Sequence, residues 1–276
     1  MVALGHTVGM RSLLTLSIVG VCALAVARST AAQSSSTPSI HTDAIAHLRL
    51  QASSGGYVAW ADNLLPGPIE VRLDSTAQPP PPSQPALPAR ASVAAEDSSL
   101  LAFLPTPAGH GGTLALRLTA TPGSSNARPK DVLYLRPLAQ ADAPIEQGFE
   151  GQFSHQDVEN RYALDFAVPI GTPVLAARAG IVMQVQTQFH GHGLDAAHDA
   201  GRANFIRILH ADGSMAVYAH LAEHGALVRQ GQPVETGQRI GLSGNTGYST
   251  APHLHFAVQV NRGGQLTSIP FRLAKP

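Results

Sequence analysis

Short runs in which apolar and polar residues alternate, each soon cut off by turn residues, recur along this chain. Successive side chains leave a β-strand on opposite faces, so period-two alternation is the pattern of a half-buried strand. His47 to Ala52, Ile69 to Leu73 and Leu114 to Thr119 alternate, and Val132 to Leu135 makes a final short run. The 26 glycines and 21 prolines favour turns over long helices. The expected fold class is therefore all-β. The spacing predicts a small β-sandwich-like accessory domain over 44–138. Pro79 to Pro82, Pro85 and Pro88 form a stiff extended stretch inside it.

Beyond a linker at 139–148, strands are predicted at 163–168, 174–176, 181–185, 204–209, 215–220, 239–242 and 253–260. His210-Ala211-Asp212-Gly213 closes a hairpin, because Asp-Gly suits the positive φ of a tight turn. Gly171-Thr172-Pro173-Val174 is echoed by Gly231-Gln232-Pro233-Val234, which suggests two related strand-turn-strand units. Such halves also build biotinyl- and lipoyl-carrier-like sheets. The only lysines, Lys130 and Lys275, fall outside the repeat and speak against a carrier function.

Arg11, the apolar run Ser12 to Ala27 and the small residues Ala31 and Ala32 have the order of an export signal over 1–32. That apolar run falls short of the roughly 20 residues of a membrane span. Membrane contact is expected only through this segment, and only if it stays uncleaved. The single cysteine, Cys22, lies within it, so the mature chain would have no disulfide. A disordered linker over 33–43 follows. A formal charge of zero, with no basic cluster, gives no sign of a nucleic-acid partner.

Nine of the thirteen histidines lie at or after His155. His253-Leu254-His255 follows the Gly-rich turn Ser243 to Pro252 on a predicted strand, where alternation turns both imidazoles into one site. With this turn before them, the two histidines resemble the lysostaphin-type zinc metallopeptidases, which cut peptide cross-links in bacterial cell walls. Tyr162 to Pro169 with Gly171 to Val174, and Tyr218-Ala219-His220-Leu221, carry the same resemblance. It implies an antiparallel β metallopeptidase domain with an open groove over 149–276. It also implies one zinc ion, with Asp165 and His255 as ligands and His220 and His253 as the catalytic pair. The implied function is an exported zinc metalloendopeptidase, periplasmic or extracellular, that hydrolyses peptide bonds of peptidoglycan stem peptides or cross-bridges.

The chain departs from that family where a first histidine ligand stands four residues before the aspartate. Arg161 occupies this position, and a guanidinium that stays protonated cannot ligate zinc. His155 is the expected substitute, folded back beside Asp165 by a turn through Asp157 to Asn160. The alternative is a catalytically degenerate member that binds peptidoglycan or regulates another cell-wall hydrolase. His190, His192 and His198 lie in a loop that is either a polar surface feature or a reach over the groove toward substrate or a second metal.

Overall fold

The computed structural model describes residues 44–105, 114–140 and 142–275; the expected export signal with Cys22, and the expected disordered linker, lie outside them. Six strands between residues 46 and 122 form two antiparallel three-stranded sheets. One runs Ala46–Ser53, Gly56–Asn63, Ser98–Pro105, and the other sets Ile69–Ser75 between Ala89–Val93 and Leu116–Pro122. Alternation sets the faces: Ile69, Val71 and Leu73 are buried, while Glu70 accepts from the Ser92 hydroxyl on the other side. Strands at Gly56–Asn63 and Ser98–Pro105 escape the sequence pattern, since Tyr57 to Ala61 and Leu100 to Leu104 are apolar throughout. Gly56 is fixed by packing, because a Cβ there would collide with the Leu104 carbonyl.

A larger antiparallel sheet orders Pro233–Val234, Gly180–Gln186, Phe205–Leu209, Met215–Ala219, His253–Asn261, Ala163–Ala167 and Ile145–Gln147. Leu266–Ser268 pairs with the end of the long His253–Asn261 strand. One face packs Phe166, Ile206, Ile208, Tyr218, Leu254, Phe256 and Val258 into a core, which Val174, Leu221 and Ile240 from a second, three-stranded sheet complete. The buried Tyr218 hydroxyl accepts from the Ala177 N–H at 2.7 Å, so no polar group is stranded there. The other face is divided. At one end Met183, Leu209 and Met215 join the core of the N-terminal sheets, and at the other end the face opens to a groove. The N-terminal sheets therefore pack directly on the larger sheet. Ile145–Gln147, expected within a linker, is that sheet's outer strand.

The repeated Gly-x-Pro-Val units exchange partners. Pro173–Leu175 pairs with Arg239–Ser243, the strand after the second unit, while Pro233–Val234 pairs with Gly180 and Ile181 after the first. Val174 and Val234 are both buried by this interlock.

The hairpin at His210 to Gly213 forms as expected, with Gly213 at φ 81° and the His210 N–H bonded to the Ser214 carbonyl. His210 is buried, and its Nδ1–H donates to the Ala179 carbonyl at 2.9 Å. Burial, with help from Arg178, lowers its pKa from 6.5 to about 4. Between those values the unfolded chain binds more protons than the folded one, so stability falls on acidification through this window. The effect amounts to roughly 3 kcal/mol. His210→Asn keeps an amide donor for Ala179 and removes the titration. Urea unfolding at pH 7 and pH 4.5 should show a smaller loss of stability in the variant than in the wild type.

Candidate metal centre and groove

The site is set by strand register. His255 lies opposite Asp165 on one neighbouring strand and opposite Ala219 on the other, which brings Asp165, His253, His255 and the Ala219–His220 corner together. The strand expected to reach residue 220 stops at Ala219, because His220 takes a left-handed φ of 59° that ends the ladder. This bend lets His220 Nδ1–H donate to the Thr246 carbonyl at 2.7 Å. His253 Nδ1–H donates to the Ala251 carbonyl at 2.8 Å, with Ser249 Oγ at 3.2 Å. The two rings lie 4.5 Å apart, each with Nδ1 engaged and Nε2 left for other work.

His155 comes from a turn rather than a strand. The Asp157 carboxylate accepts from the N–H groups of Glu159 and Asn160, and the chain reverses there toward Ala163. The His155 ring is fully buried, and its Nδ1–H donates to the Gly148 carbonyl at 2.8 Å. Its Nε2 stands 3.2 Å from Asp165 Oδ2 but makes no well-formed hydrogen bond. Across the carboxylate, His255 Nδ1 lies 2.9 Å from Asp165 Oδ1. Gln147 and Ser154 brace the arrangement, since Gln147 Nε2 donates to Asp165 Oδ2 at 2.9 Å and to Ser154 Oγ at 2.7 Å. Arg161 is exposed and does not line the groove.

One donor atom each from His155, Asp165 and His255 lies within 4.8 Å of the others. A buried imidazole whose far nitrogen is tied to a carbonyl and whose near nitrogen lacks a good partner is oriented as metal-binding histidines are. Two imidazoles and a carboxylate are a donor set suited to zinc. The electrostatics agree. Burial alone would raise the Asp165 carboxyl, but the facing His155 and His255 hold it far below the usual carboxylate range. His155 is lowered by its burial, yet Asp165 more than offsets this and the net shift is upward. Burial and the neighbouring His253 and His255 push His220 down to about 3, so it is neutral at pH 7.

The cluster opens to a groove of about 730 Å³, with His155 buried behind its wall. Asp165, His220, His253 and His255 line it, with Phe153 and Tyr248 stacked at 5.7 Å between ring centres. The loop carrying His190, His192 and His198 contributes Ala196 and Ala200 to the wall, but its three histidines are exposed and do not line the groove. Gln147, Phe153, Tyr248 and the buried Asn204 were not picked out from the sequence. Asn204 ties the loops at Phe189 and Thr246 to the start of the Leu221 strand, through the Phe189 and Leu221 carbonyls and the Thr246 hydroxyl, and the Thr246 carbonyl in turn holds His220.

Residues 159–266 match the family model described as Peptidase family M23, a span that includes Asp165, His220, His253 and His255 and begins just after His155. Over 96 residues, covering 35% of this chain and 19% of the relative, the sequence is 45% identical to the peptidoglycan DD-endopeptidase ShyA of Vibrio cholerae. Lysostaphin of Staphylococcus simulans is 41% identical over 101 residues, covering 36% of this chain and 18% of that protein. The chain thus spans under a fifth of the length of these curated relatives. The solved structure of lysostaphin aligns at 32% identity over 46% of each chain, with a TM-score of 0.36.

Proposed function

We propose, from the premise that residues 159–266 are a peptidase family M23 domain, that this chain is a zinc metalloendopeptidase acting on peptide bonds of peptidoglycan. The observation that carries the reading is the convergence of His155, Asp165 and His255 within 4.8 Å, beside His220 and His253. His155 would hold the metal through Nε2, His255 through Nδ1 and Asp165 through a carboxylate oxygen. Zinc bound there would supply a Lewis acid that polarises the scissile carbonyl and acidifies a water. His220, neutral at pH 7, offers Nε2 to take up the proton of that water, and its bond to Thr246 keeps the ring in place. His253 is positioned to steady the oxygen on which charge develops. The functional domain on this reading spans 149–276, which includes His155 ahead of the matched residues 159–266. With peptidoglycan as substrate, the reading includes export by way of residues 1–32.

Metal analysis and a wall assay test this together. The purified chain should hold about one zinc and release new amino termini from isolated peptidoglycan. A chelator should abolish the release, and added zinc should restore it. A chain that binds peptidoglycan and zinc but releases no amino termini would overturn the peptidase reading in favour of a binding or regulatory member.

A further inference from the structure

The groove continues past the metal-binding cluster to a buried cation that the proposed chemistry does not use. Arg207 lines the groove yet is only 7% exposed. Its Nε–H donates to Gln184 Oε1 at 2.9 Å and its Nη1 to Gln259 Oε1 at 2.6 Å, while Nη2 has no partner among the described residues. The Phe205 ring lies against the guanidinium, 5.9 Å from ring centre to Cζ. No carboxylate among the described residues comes within 4.0 Å of it, although Glu159 and Asp157 also line this stretch of groove. Burial lowers its pKa to about 10 against an upward pull from the Glu159 carboxylate, so it remains charged at neutral pH.

A buried charge costs free energy unless it is paired, and two neutral amides orient the guanidinium without neutralising it. Glu159 acts on it only through space, so no anion among the described residues touches the guanidinium, and one from outside would be the contacting partner. Register gives its distance from the reacting centre. Arg207 pairs with Val217, Val217 pairs with Ala257, and His255 lies two residues before Ala257 on the same strand face. Two interstrand steps and one pleat repeat put the Arg207 and His255 Cα atoms roughly 12 Å apart. An extended peptide covers that span in about three to four residues.

We propose that Arg207, braced by Gln184 and Gln259, is a specificity residue that binds a carboxylate of the peptide substrate about three to four residues from the cleaved bond. This inference rests on the peptidase reading and adds the charge of the substrate to it. A guanidinium presents paired donors that match a carboxylate and that a carboxamide cannot satisfy with equal strength.

The test uses soluble cross-linked muropeptides that differ only in whether their side carboxyl groups are free or amidated. Zinc-loaded wild type should cleave the free acid with a kcat/KM about 10- to 100-fold above that for the amide. In Arg207→Gln the ratio should collapse to near one. Gln259→Glu, which sets an internal carboxylate against the guanidinium without changing the volume, should collapse it too and covers the case in which Arg207→Gln does not fold. A wild-type ratio near one, or a ratio that survives Gln259→Glu, would overturn the proposal. Binding of both muropeptides to the metal-free protein, read by calorimetry, separates the two readings. Tighter binding of the free acid, lost in either variant, supports the Arg207 site even if no bond is cleaved. Equal binding of both forms by wild type counts against it.

Discussion

Replacing His155 with alanine is expected to strip the chain of zinc and abolish hydrolysis while the β-sheets stay folded. Catalytic zinc sites are built from three protein donors, and His155 is the one donor of the three that no strand register supplies. Its ring reaches Asp165 from a turn outside the sheet, guided by the Gly148 carbonyl. Without it, Asp165 and His255 remain paired at 2.9 Å as two donors, too few to retain the ion. The lost Lewis acid is worth several kcal/mol, which corresponds to a fall in rate of about 10³ or more. A second readout needs no substrate. A ligand that binds only the folded state raises its stability by an amount that grows with the logarithm of ligand concentration. Added zinc should therefore raise the Tm of the chelated wild type and leave that of His155→Ala unchanged. If His155→Ala kept both zinc and activity, the third ligand would have to come from elsewhere, with His253, whose Nε2 lies 4.0 Å from Asp165 Oδ1, as the next place to look.

The sheets were legible from the sequence because their signals are local. Short runs of strand-forming residues mark Gly180–Gln186, Phe205–Leu209 and Met215–Ala219, and alternation marks His253–Asn261, each within a residue or two of the predicted bounds. The His-x-His spacing alone sends His253 and His255 to one face. What escaped depends on long-range contact. The two-residue strand His192–Gly193 exists only because Gly247–Tyr248 lies beside it, and this pairing helps wall the groove near the Phe153–Tyr248 stack. Gln147 falls in the predicted linker because Ile145–Gln147 is too short to show a period and becomes a strand only against Phe166 and Asp165. Arg207 carries no signal of its own within the predicted strand 204–209. Its role depends on Gln184 and Gln259, 23 and 52 residues away in the chain. His220 is the case between. Its residue type and neighbourhood were legible, but the bend that aims it was not.

That bend permits a substitution which separates chemistry from fold. Alanine at 220 would remove the ring and also strain the backbone, since φ near 59° suits few side chains other than glycine, asparagine, aspartate and histidine. Asparagine tolerates that conformation, and its amide nitrogen can take the place of Nδ1 as donor to the Thr246 carbonyl. It offers nothing at the position of Nε2. His220→Asn should accordingly keep its zinc, its Tm and its affinity for muropeptides, while kcat falls by about 10² to 10⁴, the range for loss of a positioned proton acceptor. The fall should appear in kcat and in kcat/KM alike, because the missing interaction forms only as the proton moves. A rise in KM with kcat unchanged would instead make His220 a substrate-binding residue and transfer the proton-accepting role to His253, whose ring stands 4.5 Å away. Loss of zinc from the variant would mean that His220 helps hold the metal, and the division between the three-donor cluster and the His220–His253 pair would have to be redrawn.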